Sequence, residues 1–172
     1  MSAAAYSWRC ACCGNEFTGL PMDLFFEEPF DWQSLDGETR RRSFLDEDFC
    51  EVRYGDGTVD RFIRCLLHLP VPELGEDFRF GVWMSVSERS WGIYLDGFGK
   101  GSYETGGCFG YLMHEIPDYP GSSGLHANVC FRPDDLRPIV ELQDADHPLV
   151  AAQREGIDIA QVTRWAAMTH AA

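Results

Sequence analysis

The chain has 172 residues, 45% of them hydrophobic, which is enough to bury a core without staples and short for two domains, so a single domain over 1–172 is expected. Fourteen basic against 28 acidic residues leave a net charge of −14 and an isoelectric point near 4.6. That charge repels phosphate backbones and anionic headgroups, setting nucleic acid and membrane aside, and suits solvation or docking onto a basic protein.

No apolar run reaches the roughly 18 residues of a membrane span, and residues 1–6 lack the basic and apolar regions of a signal peptide, so cytoplasm is the expected compartment. Seven cysteines, scattered beyond the first three, fit a reducing environment better than a disulfide framework. Oligomeric state is left open.

In chain order, residues 10–21 read as a loop, a cysteine knuckle punctuated by glycine and proline. Residues 22–35 mix aromatics with acids and read as irregular, with a short helix at most. The charged stretch 36–48, with Arg40, Arg41 and Arg42 between acids, suits a short helix. The region 49–142 is the sheet region. Residues 49–54, a Gly55-Asp56-Gly57 turn and residues 58–69 predict a hairpin whose second strand is covered on both faces and ends at Pro70 and Pro72. Residues 78–86 alternate, with Phe78, Phe80, Val82, Met84 and Val86 on one face and Trp83 on the other.

Ser87 or Ser90 starts a short helix, and a glycine-rich loop spans 97–107. Three more strands are expected at 108–113, 125–131 and 136–142. The period then turns helical over 146–170. Asp146 is the expected N-cap of one helix, with Gly156 at its C-terminal end. Asp158 and Gln161 form a capping box for the next, whose face is Ile159, Val162, Ala166 and Thr169 with Trp165 beside it. Strands first and helices last predict an α+β fold: a mainly antiparallel sheet, two C-terminal helices and an N-terminal cysteine knuckle.

The spacing with most chemistry is Cys10-x-x-Cys13-Gly14, half of a zinc-ribbon site. Two thiolates on a tight turn supply two tetrahedral ligands, with zinc the candidate metal. Cys50, in a polar segment at a strand start, is the candidate third ligand; Cys12, a histidine, a carboxylate or water is the fourth. A redox use of the pair lacks a following βαβ unit. Asp144, Asp146 and His147 form a second cluster, readable as a metal or acid–base site or, more simply, as a helix cap. Trp83, Trp91, Phe109 and Tyr111 could line a small-molecule groove or fill the core. The segment around Lys100 fails the phosphate-loop pattern, because Tyr94 stands where its first glycine belongs and Gly101 follows the lysine. His68, His114, His126 and His170 stand alone in sequence and read as structural or surface residues.

Several stretches together resemble a bacterial family known as domain of unknown function 2199. They are Cys10-x-x-Cys13-Gly14 with Leu20-Pro21; Asp48-Phe49-Cys50; Arg61-Phe62-Ile63-Arg64; Gly81-Val82-Trp83-Met84 with Ser85-Val86-Ser87-Glu88; Phe109-Gly110-Tyr111-Leu112; and Arg137-Pro138-Ile139-Val140-Glu141-Leu142 continuing through Asp146-His147-Pro148-Leu149 to Gln153-Arg154-Glu155-Gly156-Ile157. None is a catalytic signature. The resemblance implies a histidine after the second cysteine in the opening motif, at the position where this chain has Phe17. It implies no activity. The leading expectation is therefore a non-catalytic binding or interaction domain, immunity-type or regulatory, for a basic protein. The alternatives are a small metal-dependent enzyme or metal sensor built on the cysteines, and a small-molecule binder with an aromatic groove.

Overall fold

The structure, a computed structural model, describes residues 2–29 and 32–170, the side chains of Thr169 and His170 excepted. After a 3-10 turn at Ala3–Ala5 come β1 (Ser7–Arg9), β2 (Glu16–Thr18), β3 (Asp23–Phe25), α1 (Gly37–Arg42), β4 (Phe44–Leu45), β5 (Phe49–Arg53), β6 (Val59–Val71), β7 (Glu76–Val86), α2 (Glu88–Gly97), β8 (Gly107–Leu112), β9 (His126–Cys130), β10 (Ile139–Leu142), α3 (Pro148–Glu155) and α4 (Ile159–His170). The fold is α+β, with four α-helices among the described residues and a closed five-stranded barrel carrying extra strands.

The strand pairs are mainly antiparallel, as expected, but the sheet closes into a barrel and includes two parallel pairs. Strands β6 to β10 run up and down in turn, each antiparallel to the next, and β10 closes on β6. Five strands of alternating direction leave the first and last pointing the same way, so the closing pair, Ile139 opposite Leu66, is parallel. Closure removes the edges that an open sheet would expose.

The two longest strands each serve twice. One edge of β6 pairs with β5 over Val59 to Ile63 and then meets β10 at Leu66. One edge of β7 pairs with β3, parallel, over Arg79 to Gly81, and then with β8 over Met84 to Val86. The stretch read as irregular thus contributes a strand, because β7 offers it free backbone groups. Gly81 is needed there: a Cβ would lie 2.8 Å from the Phe25 Cβ. Pro70 does not end β6 but stays in register with Asp77, and its carbonyl accepts from Ile157 N at 2.8 Å. The strand stops at a tight turn, where Leu74 N donates to Val71 O.

Inside the barrel, alternate residues Ile63, Cys65, Leu67 and Leu69 face Phe78, Phe80, Val82 and Met84, all fully buried. Each such side chain stabilises the fold by roughly 1.5–3 kcal/mol. Trp91 and Tyr94 of α2 cover one region of this core, packing on Phe49. Elsewhere Trp165 of α4 packs on Phe78 and Phe80 at 5.0 Å each. The buried face of α4 is Val162, Trp165 and Ala166, so Trp165 is central to it, not beside it; the Thr169 side chain lies outside the described residues.

Local capping rules place the helix ends. Asp36 accepts from Glu38 N and Thr39 N to start α1, and Ser87 accepts from Ser90 N to start α2. Asp158 accepts from Gln161 N at 2.7 Å before α4. Asp146 is not the cap of α3: His147 is, its Nδ1 accepting from Leu149 N. Two helices, α1 and α2, precede the expected C-terminal pair. Among the described residues no helix is long and apolar enough to cross a membrane.

Candidate metal centre

The N-terminal hairpin is built to hold a turn. Trp8 pairs with Phe17 across β1 and β2, and the rings stack at 5.1 Å. Trp8 Nε1 donates to Gly19 O, and Trp8 and Leu20 are buried in the core, which fixes the hairpin to the body. At its tip Cys10 N donates to Asn15 O, and Gly14 N donates to Cys10 O, both at 2.9 Å. Gly14 takes φ of +72°, a left-handed conformation that a side chain would strain. The Arg9 guanidinium donates to the Gly14 carbonyl at 3.0 Å.

This turn gathers three sulfurs. The Sγ atoms of Cys10, Cys12 and Cys13 all lie within 4.8 Å of one another, close enough to hold one metal ion. Cys10 is buried, while Cys12 and Cys13 are exposed. The Cys10 and Cys12 sulfurs are 2.8 Å apart. The bond to Cys12, with backbone amides adding to it, lowers the Cys10 thiol to about 6, and the same contact raises Cys12 to about 11. One thiolate is therefore within reach near neutral pH, and a thiophilic cation would displace the remaining protons.

Cys50, the expected third ligand, does not join this cluster. It is fully buried in a second small core with Val52, Phe62 and Trp83, and burial pushes its thiol up to about 12. Cys12 is the third sulfur beside Cys10 and Cys13. Phe17 packs on Trp8 where the family resemblance implied a histidine.

The four aromatics proposed for a groove do not share one. Trp83 is fully buried, with Nε1 donating to Phe26 O. Trp91 packs edge-on against Phe49. Phe109 and Tyr111 face outward from β8, about half exposed, in contact with the His126 ring. Nor do Asp144, Asp146 and His147 form an acid–base set. Asp144 accepts from the His126 backbone and pairs with its Nδ1 at 3.1 Å. His147 caps α3 through Nδ1 and meets Pro120 O through Nε2 at 3.2 Å, which makes Nε2 the protonated nitrogen; Asp146 is exposed.

The family model described as an uncharacterized protein conserved in bacteria, domain of unknown function 2199, matches residues 9–157. The chain belongs to this family. No curated protein and no solved structure matches it. The family's span takes in the cysteine turn and all five barrel strands, and leaves α4 outside.

Within that span, segments that carried the resemblance meet in space. Arg64 donates to the carbonyls of Glu47 and Phe26, Trp83 donates to the same Phe26 carbonyl, and Arg137 Nε donates to Asp48 at 2.7 Å. A buried guanidinium thus ties the β3 end and the β4–β5 turn to the barrel wall. Residue-by-residue reading missed this, because Arg64 sits in an apolar strand 38 residues from one acceptor and 17 from the other.

Proposed function

We propose that this chain is a non-catalytic cytoplasmic binding domain that carries one metal ion, zinc, on Cys10, Cys12 and Cys13 as a stabilising knuckle. The observation that carries this reading is the convergence of the three sulfurs within 4.8 Å. Thiolates select zinc or other thiophilic ions over hard cations, and a tetrahedral ion would complete its shell with water or a partner's side chain on the exposed side of Cys12 and Cys13. Seven cysteines, scattered beyond the first three, support a reducing compartment. The excess of acid supports a basic protein as partner, whose association would quicken as salt is lowered.

The test is elemental analysis of the full chain purified without chelator, with cobalt(II) substitution as an optical readout. Stoichiometric zinc and a thiolate-to-cobalt absorption band are expected. Cys12→Ser should weaken metal retention and Cys50→Ala should leave it. Substoichiometric metal together with no cobalt band would end this reading.

A further inference from the structure

A second site lies where two strands share one edge of β7 and then part. Phe26 N donates to Gly81 O at 2.9 Å at the end of β3, and Met113 N donates to Trp83 O at 3.0 Å at the end of β8. Beyond these bonds the chains diverge. A cleft of about 540 Å³ opens between the segment from Phe25 to Pro29, with Gln33, on one side and His114 and Glu115 on the other. That volume suits a small ligand.

Among the described residues its lining contains three carboxylates, Glu27, Glu28 and Glu115, and no lysine or arginine. Arg64 and Arg137 line a neighbouring hollow that shares Phe25, Glu27 and Glu28 with it. Glu115 is held rigidly: its carboxylate accepts from Gly121 N at 3.1 Å, Ser122 N at 2.9 Å and Ser122 Oγ at 3.0 Å, bonds that keep it below the usual carboxylate range and ionised. His114 is 3% exposed, and its ring stacks on Phe26 at 4.0 Å and 8°. Burial, with the nearby Arg64 charge adding to it, keeps this imidazole neutral.

Among the described residues, two buried atoms of this lining lack a partner: His114 Nε2 and Glu28 Oε2. Folded proteins pair nearly all such atoms, so two together at one cleft point to a missing polar group. Glu28 Oε2 calls for a donor, and His114 in its Nδ1–H tautomer accepts at Nε2 from the same group. Arg64 does not supply it: its Nε is also buried without a partner, so it reaches neither atom. Its terminal nitrogens are committed to the Phe26 and Glu47 carbonyls, beneath the Phe25 ring. A metal ion is disfavoured, because the cleft's acids do not converge: among the described residues only the three cysteines bring ligand atoms within 4.8 Å of one another. A flat or branched cation with several N–H groups can bridge carboxylates that a single ion cannot.

We infer that this cleft binds a cationic nitrogen group, guanidinium or ammonium, between Glu28, Glu115 and the His114 imidazole, with its stem against Phe25 and Phe26. The source is either a free small amine or a basic side chain of a protein. The site is separate from the cysteine turn, and neither depends on the other.

The experiment is titration calorimetry of the full chain with n-butylguanidinium, its neutral isostere n-butylurea, and a blocked Gly-Arg-Gly tripeptide. Saturable one-to-one binding of butylguanidinium is expected, with butylurea at least about tenfold weaker, the ratio of one charge-assisted hydrogen bond. Glu28→Gln and, separately, Glu115→Gln should each weaken binding about tenfold or more, while Glu104→Gln, an equal charge change elsewhere, should not. Tighter binding of the tripeptide than of butylguanidinium would assign the site to a protein side chain; weaker binding would assign it to a free amine. Failure of both cations to saturate, equal binding of butylurea, or an equal loss in Glu104→Gln would overturn the inference.

Discussion

His114 makes stability depend on mild acid in a way that one substitution can isolate. Burial, then the Arg64 charge, lowers its pKa from the ordinary 6.5 to about 3. Between those values the unfolded chain binds a proton that the folded chain refuses. Stability from this group is therefore complete above pH 6.5 and is lost as pH falls toward 3. At pH 5 the unfolded state is about 1.5 units below its midpoint, which at 1.36 kcal/mol per unit costs about 2 kcal/mol relative to pH 8. His114→Phe removes the titration, keeps a ring against Phe26 and deletes the unpaired nitrogen. Urea unfolding of both proteins at pH 8 and pH 5 gives a double difference. Asp36, Asp56 and Glu115, all held below their usual range by hydrogen bonds, cancel in it. The parent should lose about 2 kcal/mol more than the variant. Equal losses would show that His114 protonates freely when folded and would refute the reasoning.

Gly81→Ala should destabilise the fold by about 1–3 kcal/mol in urea, because the new Cβ meets the Phe25 Cβ at 2.8 Å and β3 must move off β7. Cation binding in the adjoining cleft should weaken with it. Trp165→Ala should cost about 3–5 kcal/mol and lower the melting temperature, since it empties the packing on Phe78 and Phe80 and leaves Asp118 without the indole N–H. An unchanged melting temperature would mean that α4 is dispensable to the core.

Much of the local structure was legible because its causes are local. The Gly55-Asp56-Gly57 turn places the β5–β6 hairpin, and the alternation from Phe78 to Met84 marks the inner face of β7. Ser87 and Asp158 accept from the backbone where helix caps are expected. The choice of His147 over Asp146 as cap was not legible: either side chain can accept, and the bond from Leu149 together with the Pro120 contact selects the histidine. The irregular reading of residues 22–35 missed β3 because three residues carry too little pattern; their strand exists only because the edge of β7 is free beside Gly81.

The candidate sites divide along the same line. Spacing alone put Cys10 and Cys13 on one turn, because they are three residues apart and left-handed Gly14 follows to close it. The sequence by itself thus determined the α+β composition, the strand periods, most caps and the pairing of Cys10 with Cys13. Tertiary structure decided the rest. Closure of five strands made β10 parallel to β6, burial withdrew Cys50 from the cysteines, and the parting of β3 and β8 set His114 against Phe26 beside Glu28. These contacts join residues tens of positions apart, and only their closure in space gives them an energy.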